Sequence, residues 1–380
     1  MKIETFQLER WMTTWELDVS HDITESGIAP LSIAGLLALA DVDDPNGYLD
    51  DLIQAPQMYS EARGTINLRA SIANTYATAE ADDVLVTTGA IEANYLLFNV
   101  LLSAGDHVVV TTPCYQQLAS IPKAIGCDIT EWPVTPDSGF SFDLDRLESL
   151  IRGNTKLIVI NSPHNPTGAL LRQSDLERIA GLADRVGAWV ISDEAYRWIE
   201  HPGGESLAAP FRDIYHKAVS VGTMSKFFGL PGLRLGWIAG NAELAEACWA
   251  QRDYTSLSPA WLSDRFARLA VDSRERIQRR NNGILAENLR TARTWFAENG
   301  DIVAWNEPKA GLLAMMDVIG VANTDELSER LAAEAGVMLA PGSTFQLPGY
   351  LRIGIGQRPP IFAEALDRTA DFIRAFHTRS

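Results

Sequence analysis

An α/β fold is predicted for this chain, with a large domain built on a mostly parallel sheet flanked by helices and a smaller α+β domain beside it. Three observations predict it. Between residues 83 and 237, short apolar β-rich runs alternate with helix-length segments, the signature of crossover connections between parallel strands. Beyond Gly240 the pattern turns helical and then mixes strand and helix candidates. The 380 residues are also too many for one small core, which implies two domains.

The elements follow in order. Residues 84–87 read as a strand, 91–102 as a helix, 107–110 as a strand and 116–125 as a helix. A buried strand is expected at 156–160, a helix at 175–186, and strands at 188–192 and 218–221. Helices then occupy 242–250 and a long stretch over 262–299. The last eighty or so residues hold strand candidates at 311–317, 337–340 and 350–354, with helices at 324–335 and 361–376. This places the large domain at 45–285, and an N-terminal arm plus the small domain at 1–44 and 286–380.

Composition narrows the function. A net charge of −17 opposes a nucleic-acid or anionic-membrane partner, because both need basic surface. Three cysteines without metal-ligand spacing predict neither a metal site nor a disulfide framework, so a reducing, cytoplasmic setting is expected. The polar, acidic start shows no signal-peptide pattern, and the longest apolar stretch, near 36–40, is far shorter than the roughly 20 residues a membrane helix needs.

Five features fall at the ends of expected elements, where ligands gather in parallel sheets. Thr87-Thr88-Gly89-Ala90-Ile91-Glu92 leaves a strand and opens a helix, so small residues and a helix N-terminus could hold an anion; a plain turn capped by Thr88 reads equally well. Tyr115, after Pro113-Cys114, could stack on a flat heterocycle or sit in the core. In Asn161-Ser162-Pro163-His164-Asn165-Pro166, the prolines impose an extended turn with the Asn165 amide at its tip. His164, beside them, reads as a structural hydrogen-bonder rather than a general base. Asp193 ends a buried strand, where a carboxylate needs a cationic partner such as a protonated pyridine nitrogen. Tyr196, three residues on, could bond a phenolate oxygen on the same ring. Finally, Lys226 lies in Gly222-Thr223-Met224-Ser225-Lys226-Phe227-Phe228, with Arg234 eight residues on, a setting suited to a Schiff-base amine.

In order and spacing, these motifs resemble the fold-type I pyridoxal-phosphate enzymes, specifically the class I/II aminotransferases of the aspartate aminotransferase superfamily, from Tyr59 to Arg352. The resemblance implies a large-domain sheet of the seven-stranded type and pyridoxal 5'-phosphate as cofactor. Lys226, Asp193 and Tyr196 are then the catalytic residues. Gly89, Ala90, Ile91, Thr223 and Arg234 match the phosphate cradle, Tyr115 the stacking ring, and Tyr196 with Asn165 the pair on the phenolic oxygen. Tyr59, five residues before Gly64, matches a tyrosine lent to the phosphate across a homodimer interface. Arg352, with Gly27 and Asn165, would bind the substrate, Arg352 taking the α-carboxylate through a bidentate fork.

The implied activity moves the α-amino group of a free amino acid to a 2-keto acid, with Lys226 shuttling the Cα proton. The same apparatus supports β-elimination or replacement, racemisation and oxidation. The segments around 22–27 and 252–259 look similar to those of capreomycidine-synthase-like enzymes, which implies as the alternative a cyclase or oxidase acting on an arginine-like amino acid. A transcription regulator carrying this fold would need an added basic DNA-binding domain, which the acidic charge opposes. No second basic residue for a distal carboxylate is recognisable. Glu25 and Glu92 either border the pocket or serve as solvated or capping residues, and Trp11, Trp15 and Trp198 either line it or belong to the core.

Overall fold

The computed structural model describes residues 2–379. Its centre is a seven-stranded sheet in the spatial order Val84–Thr87, Gly236–Ala239, Ala218–Thr223, Trp189–Asp193, Thr155–Asn161, His107–Thr112, Asp128–Pro133. Only Gly236–Ala239 runs against its neighbours; the other pairings are parallel. Parallel neighbours cannot be joined by a hairpin. Helices Gly89–Leu101, Gln117–Ile125, Leu144–Leu150 and Gln173–Val186 supply the crossovers.

The strands read as continuous apolar runs because both faces of the sheet are covered. Val108 and Val110 join the cluster containing Leu96, Leu97 and Phe98, whereas Val109 between them joins the one containing Leu176 and Ile179. Leu157 and Val159 alternate with Ile158 and Ile160 in the same way, as the two-residue period of a strand requires.

A second sheet of four antiparallel strands, ordered Ala340–Pro341, Tyr350–Gly354, Leu313–Val318, Val303–Trp305, follows the long helix Arg274–Glu298. Leu285, Leu289, Ile353 and Phe362 of this part share one apolar cluster with Val84, Val86 and Trp237 of the large sheet, so a continuous core joins the two sheets.

Several expected elements come out differently. The stretch 262–299 is two helices, Trp261–Asp272 and Arg274–Glu298, broken at Ser273, whose φ of −100° and ψ of 13° leave the helical region. Residues 337–340 are two short strands in different sheets: Val337–Met338 pairs with His21–Asp22, and Ala340–Pro341 with Tyr350–Gly354. Asp128–Pro133 and Gly236–Ala239 lack a run of apolar residues long enough to announce a strand; the first is a half-exposed edge. Among the described residues no helix is long and apolar enough to cross a membrane.

Candidate active site

The carboxyl ends of Val84–Thr87, His107–Thr112, Thr155–Asn161, Trp189–Asp193 and Ala218–Thr223 all meet one edge of the large sheet, beside a cavity of about 430 Å³. Lys226, Asp193, Tyr196, Asn165, Tyr115, Thr223, Arg234, Arg352 and the turn Gly89-Ala90-Ile91 all line it.

Asp193 is 6% exposed and lies beside Asn161 of the next strand. Asn94 Nδ2 donates to its Oδ2 at 2.9 Å and the Ala195 N–H to its Oδ1 at 3.1 Å. Burial pushes this carboxyl above the ordinary range, while those two bonds and the Lys226 charge oppose the rise. A cationic N–H facing it would hold it ionised. Burial likewise raises the Tyr196 phenol, against the charges of Lys226 and Arg352.

Asn165 sits between the two sheets. Its N–H donates to Asn161 Oδ1 at 2.7 Å, and its Oδ1 accepts from Arg352 Nη1 at 3.2 Å. Arg352 is 1% exposed; its Nη2 donates to the Thr24 carbonyl at 3.0 Å and its Nε has no partner in the protein. Burial lowers its pKa, opposed by Tyr196, Glu25 and Asp22. A buried guanidinium with unused N–H groups calls for an anion.

The opposite end of the cavity is built for close backbone approach. Gly89 has φ +77° and begins the helix Gly89–Leu101. A Cβ on Gly89 would lie 3.1 Å from Arg234 Nη2, and one on Gly236 would lie 2.5 Å from the Ala90 nitrogen. Small residues, a helix N-terminus and a guanidinium together form an anion cradle. At its N-cap, the Thr88 N–H donates to Glu92 Oε2 at 2.6 Å, and Thr88 contributes no side-chain cap. Glu92 also accepts from Thr255 at 2.6 Å and faces the buried Arg252 at 3.7 Å, so it serves the cradle rather than the pocket. A flat cationic ring carrying a phosphate fits this arrangement, with Asp193 opposite the cation and the cradle opposite the phosphate.

Other expected residues fall outside the cavity lining. Tyr59 is 86% exposed, and Gly27 lies behind Ser26 with its N–H donating to Glu25 Oε1 at 2.9 Å. Trp11, Trp15 and Trp198 do not line the cavity either; Trp198 packs on Phe227 and Phe228. His164 is buried with Nδ1 2.7 Å from the Thr167 hydroxyl, and burial pushes its pKa down to about 4, as suits a structural imidazole.

The N-terminal segment supplies what local reading missed. Glu9 and Met12 of helix Gln7–Trp15, Glu16 just past its end, and Ser26 line the cavity, together with Glu25, for which the sequence had left a pocket position open. The Tyr115 hydroxyl donates to Glu9 Oε1 at 2.8 Å, and its ring lies 4.8 Å from Phe6. Lys226 Nζ donates to Ser26 Oγ at 2.6 Å and lies 3.6 Å from Glu25 Oε1. Asn94 was detectable in principle, since it follows Gly89 on the same helix. Ser26 is 200 positions from Lys226 and carried no local signal.

Known proteins share this organisation. Residues 52–368 match the family described as aminotransferase class I and II. The chain is 32% identical over 351 residues to capreomycidine synthase of Streptomyces vinaceus, covering 91% of this chain and 88% of that protein. A crystal structure of a PLP-dependent aminotransferase from Streptococcus suis superposes with a TM-score of 0.94 at 32% identity, covering 99% of both chains. The PLP-dependent cyclase OrfR superposes with a TM-score of 0.90 at 32% identity over 99% of this chain and 98% of that one.

Proposed function

The chain belongs to the class I and II aminotransferases, which use pyridoxal 5'-phosphate, and from that premise we propose that it transfers the α-amino group of a free amino acid to a 2-keto acid. The observation that carries the reading is the convergence of Lys226, Asp193, Tyr196, Asn165 and Arg352 on one cavity that ends in an anion cradle.

In this reading Lys226 holds the cofactor aldehyde, Asp193 its ring nitrogen, and Tyr196 with Asn165 its phenolic oxygen. Tyr115 covers the ring. Gly89, Ala90, Ile91, Thr223 and Arg234 hold the phosphate, and the exposed Tyr59 is lent to the phosphate of a second copy in a homodimer. When bound, the cofactor supplies an electron sink for the carbanion left as the Cα–H bond breaks. Arg352 fixes the substrate carboxylate, using N–H groups not spent on Asn165 and Thr24. Once free, the Lys226 amine takes the Cα proton and returns it on the other side of the exchange, as base and then acid. Leu8 and Met12, both on helix Gln7–Trp15, give the same cavity part of its apolar wall.

Lys226→Ala tests this directly: turnover and the visible absorbance of the lysine-linked cofactor are both lost. Undiminished turnover in that variant refutes the assignment.

A second reading is favoured by one specific observation. Glu9 and Glu16 line the cavity besides the Lys226-facing Glu25, while the basic lining residues among those described are Lys226, Arg234 and Arg352, each engaged in this reading by the cofactor or the α-carboxylate. A substrate side chain therefore meets carboxylates, which suits a guanidinium and disfavours a second carboxylate. Together with the likeness to capreomycidine synthase and OrfR, this supports elimination of a β-hydroxyl group as water with cyclisation, or oxidation by dioxygen, of an arginine-like amino acid. Incubating the enzyme with one amino acid and no keto acid separates the two readings: a transaminase stops after one turnover per site, and the alternatives continue.

A further inference from the structure

Residues 21–29 form a strap between the smaller sheet and the Lys226 loop. His21 and Asp22 pair with Val337 and Met338, and the Gly354 N–H donates to the Ile23 carbonyl at 2.7 Å. Beyond them, the Ala29 N–H donates to the Gly356 carbonyl at 2.7 Å and the Ile28 N–H to the Lys226 carbonyl at 3.3 Å. Glycine is required at the end of strand Tyr350–Gly354 and two residues beyond it, because a Cβ on Gly354 would collide with the Glu25 carbonyl and one on Gly356 with the Gly27 carbonyl. The strap is therefore held at both ends, and Glu25 and Ser26 are presented at its middle.

Both side chains face one atom. Ser26 Oγ accepts from Lys226 Nζ at 2.6 Å, and Glu25 Oε1 lies 3.6 Å from the same nitrogen. The Gly27 N–H, donating to that Oε1 at 2.9 Å, turns the Glu25 carboxylate inward. We propose that Glu25 and Ser26 dock the free amine of Lys226 and so act as positioning residues for it; the proposal rests on Lys226 being the lysine that links to the cofactor.

The dock matters because that amine is repeatedly released. When a substrate amine replaces Lys226, the double bond from carbon to Nζ is exchanged for one to the substrate nitrogen. The two hydrogens lost by the substrate nitrogen end on Nζ, and no electrons change hands. The freed amine needs a hydrogen-bond acceptor and, once it has taken up a proton, a counter-charge: Ser26 offers the first and Glu25 the second. Asp193 and Tyr196 also act electrostatically on this position from the large sheet, but each is engaged by the ring in the reading above.

A dock for the free amine competes with the covalent link, so removing it strengthens cofactor binding, the reverse of a structural defect. The test is to titrate apoprotein with pyridoxal 5'-phosphate and, separately, with pyridoxine 5'-phosphate, which lacks the aldehyde and cannot link. Ser26→Ala should raise the ratio of the two dissociation constants, pyridoxine phosphate over pyridoxal phosphate, by about 10- to 150-fold, the worth of one charge-assisted hydrogen bond, and Glu25→Gln, which removes the ion pair, should raise it in the same direction. Ser26→Thr, which keeps the hydroxyl, should stay near the wild-type ratio. An unchanged or lowered ratio in both variants overturns the dock. Lys226→Ala separates the premise from the proposal: the ratio should collapse toward one. If it does not, Lys226 is not the linking lysine and both fall; if it collapses while Ser26→Ala and Glu25→Gln leave the ratio unmoved, only the dock falls.

Discussion

Replacing Arg352 by alanine probes the substrate end of the cavity. A guanidinium has five N–H groups. Two of them are engaged here, by Asn165 Oδ1 and the Thr24 carbonyl, which leaves three, including the unpartnered Nε–H, for a carboxylate. Two charge-assisted bonds at about 1.5–3 kcal/mol each amount to about 3–6 kcal/mol, or roughly a 10²- to 10⁴-fold loss in kcat/KM. At 1% exposure the group is not weakened by solvent screening, so the figure needs no surface discount. Arg352→Lys keeps the charge without the fork and should fall between, at a loss of about tenfold. The assay is steady-state kinetics on an accepted amino acid beside the matching amine without its carboxylate, with circular dichroism to confirm folding. A loss in kcat/KM below about threefold, or an equal loss on the amine, refutes the carboxylate assignment.

Two further perturbations follow from the packing and the charges. Gly236→Ala forces a Cβ to within 2.5 Å of the Ala90 nitrogen and the Gly89 carbonyl carbon, both backbone atoms that cannot swing aside. It should lower stability by about 1–3 kcal/mol and weaken cofactor retention, seen as a lower melting temperature and faster loss on dialysis. Burial pushes the Asp22 carboxyl up from 3.8 to about 6, with Glu25 adding repulsion and the Thr24 and Glu25 N–H groups opposing. A raised folded pKa means its contribution is fully present below about 3.8 and lost as pH rises through about 6. Asp22→Asn should therefore stabilise the protein at pH 8 by at most about 3 kcal/mol and much less at pH 4.5; equal gains by denaturant titration at both would contradict this.

The legible part of this protein lay in short-range pattern. Val84–Thr87, Trp189–Asp193 and Ala218–Thr223 were readable because a strand covered on both faces is apolar over most of its length, its polar residues here falling mainly toward the carboxyl end. The half-exposed edge Asp128–Pro133 lacks that run and went unread. Thr88 was readable as a possible cap, but its side chain makes no cap bond; its N–H instead meets Glu92, a carboxylate also held by Thr255, 163 positions from Glu92. Glu25 and Glu92 looked alike in the sequence, yet one faces Lys226 and the other a buried arginine.

The sequence by itself determined the parallel sheet, the residues at its carboxyl edge and the cofactor their order implies, since each motif is contiguous with the strand that presents it. Only the tertiary structure decided that Glu9, Glu25 and Ser26 complete the cavity. Their placement depends on the strap crossing Gly354 and Gly356 and on the first helix lying against Tyr115. Such contacts join residues a hundred or more positions apart through backbone shape and packing, and neighbouring residues carry no periodicity that records them.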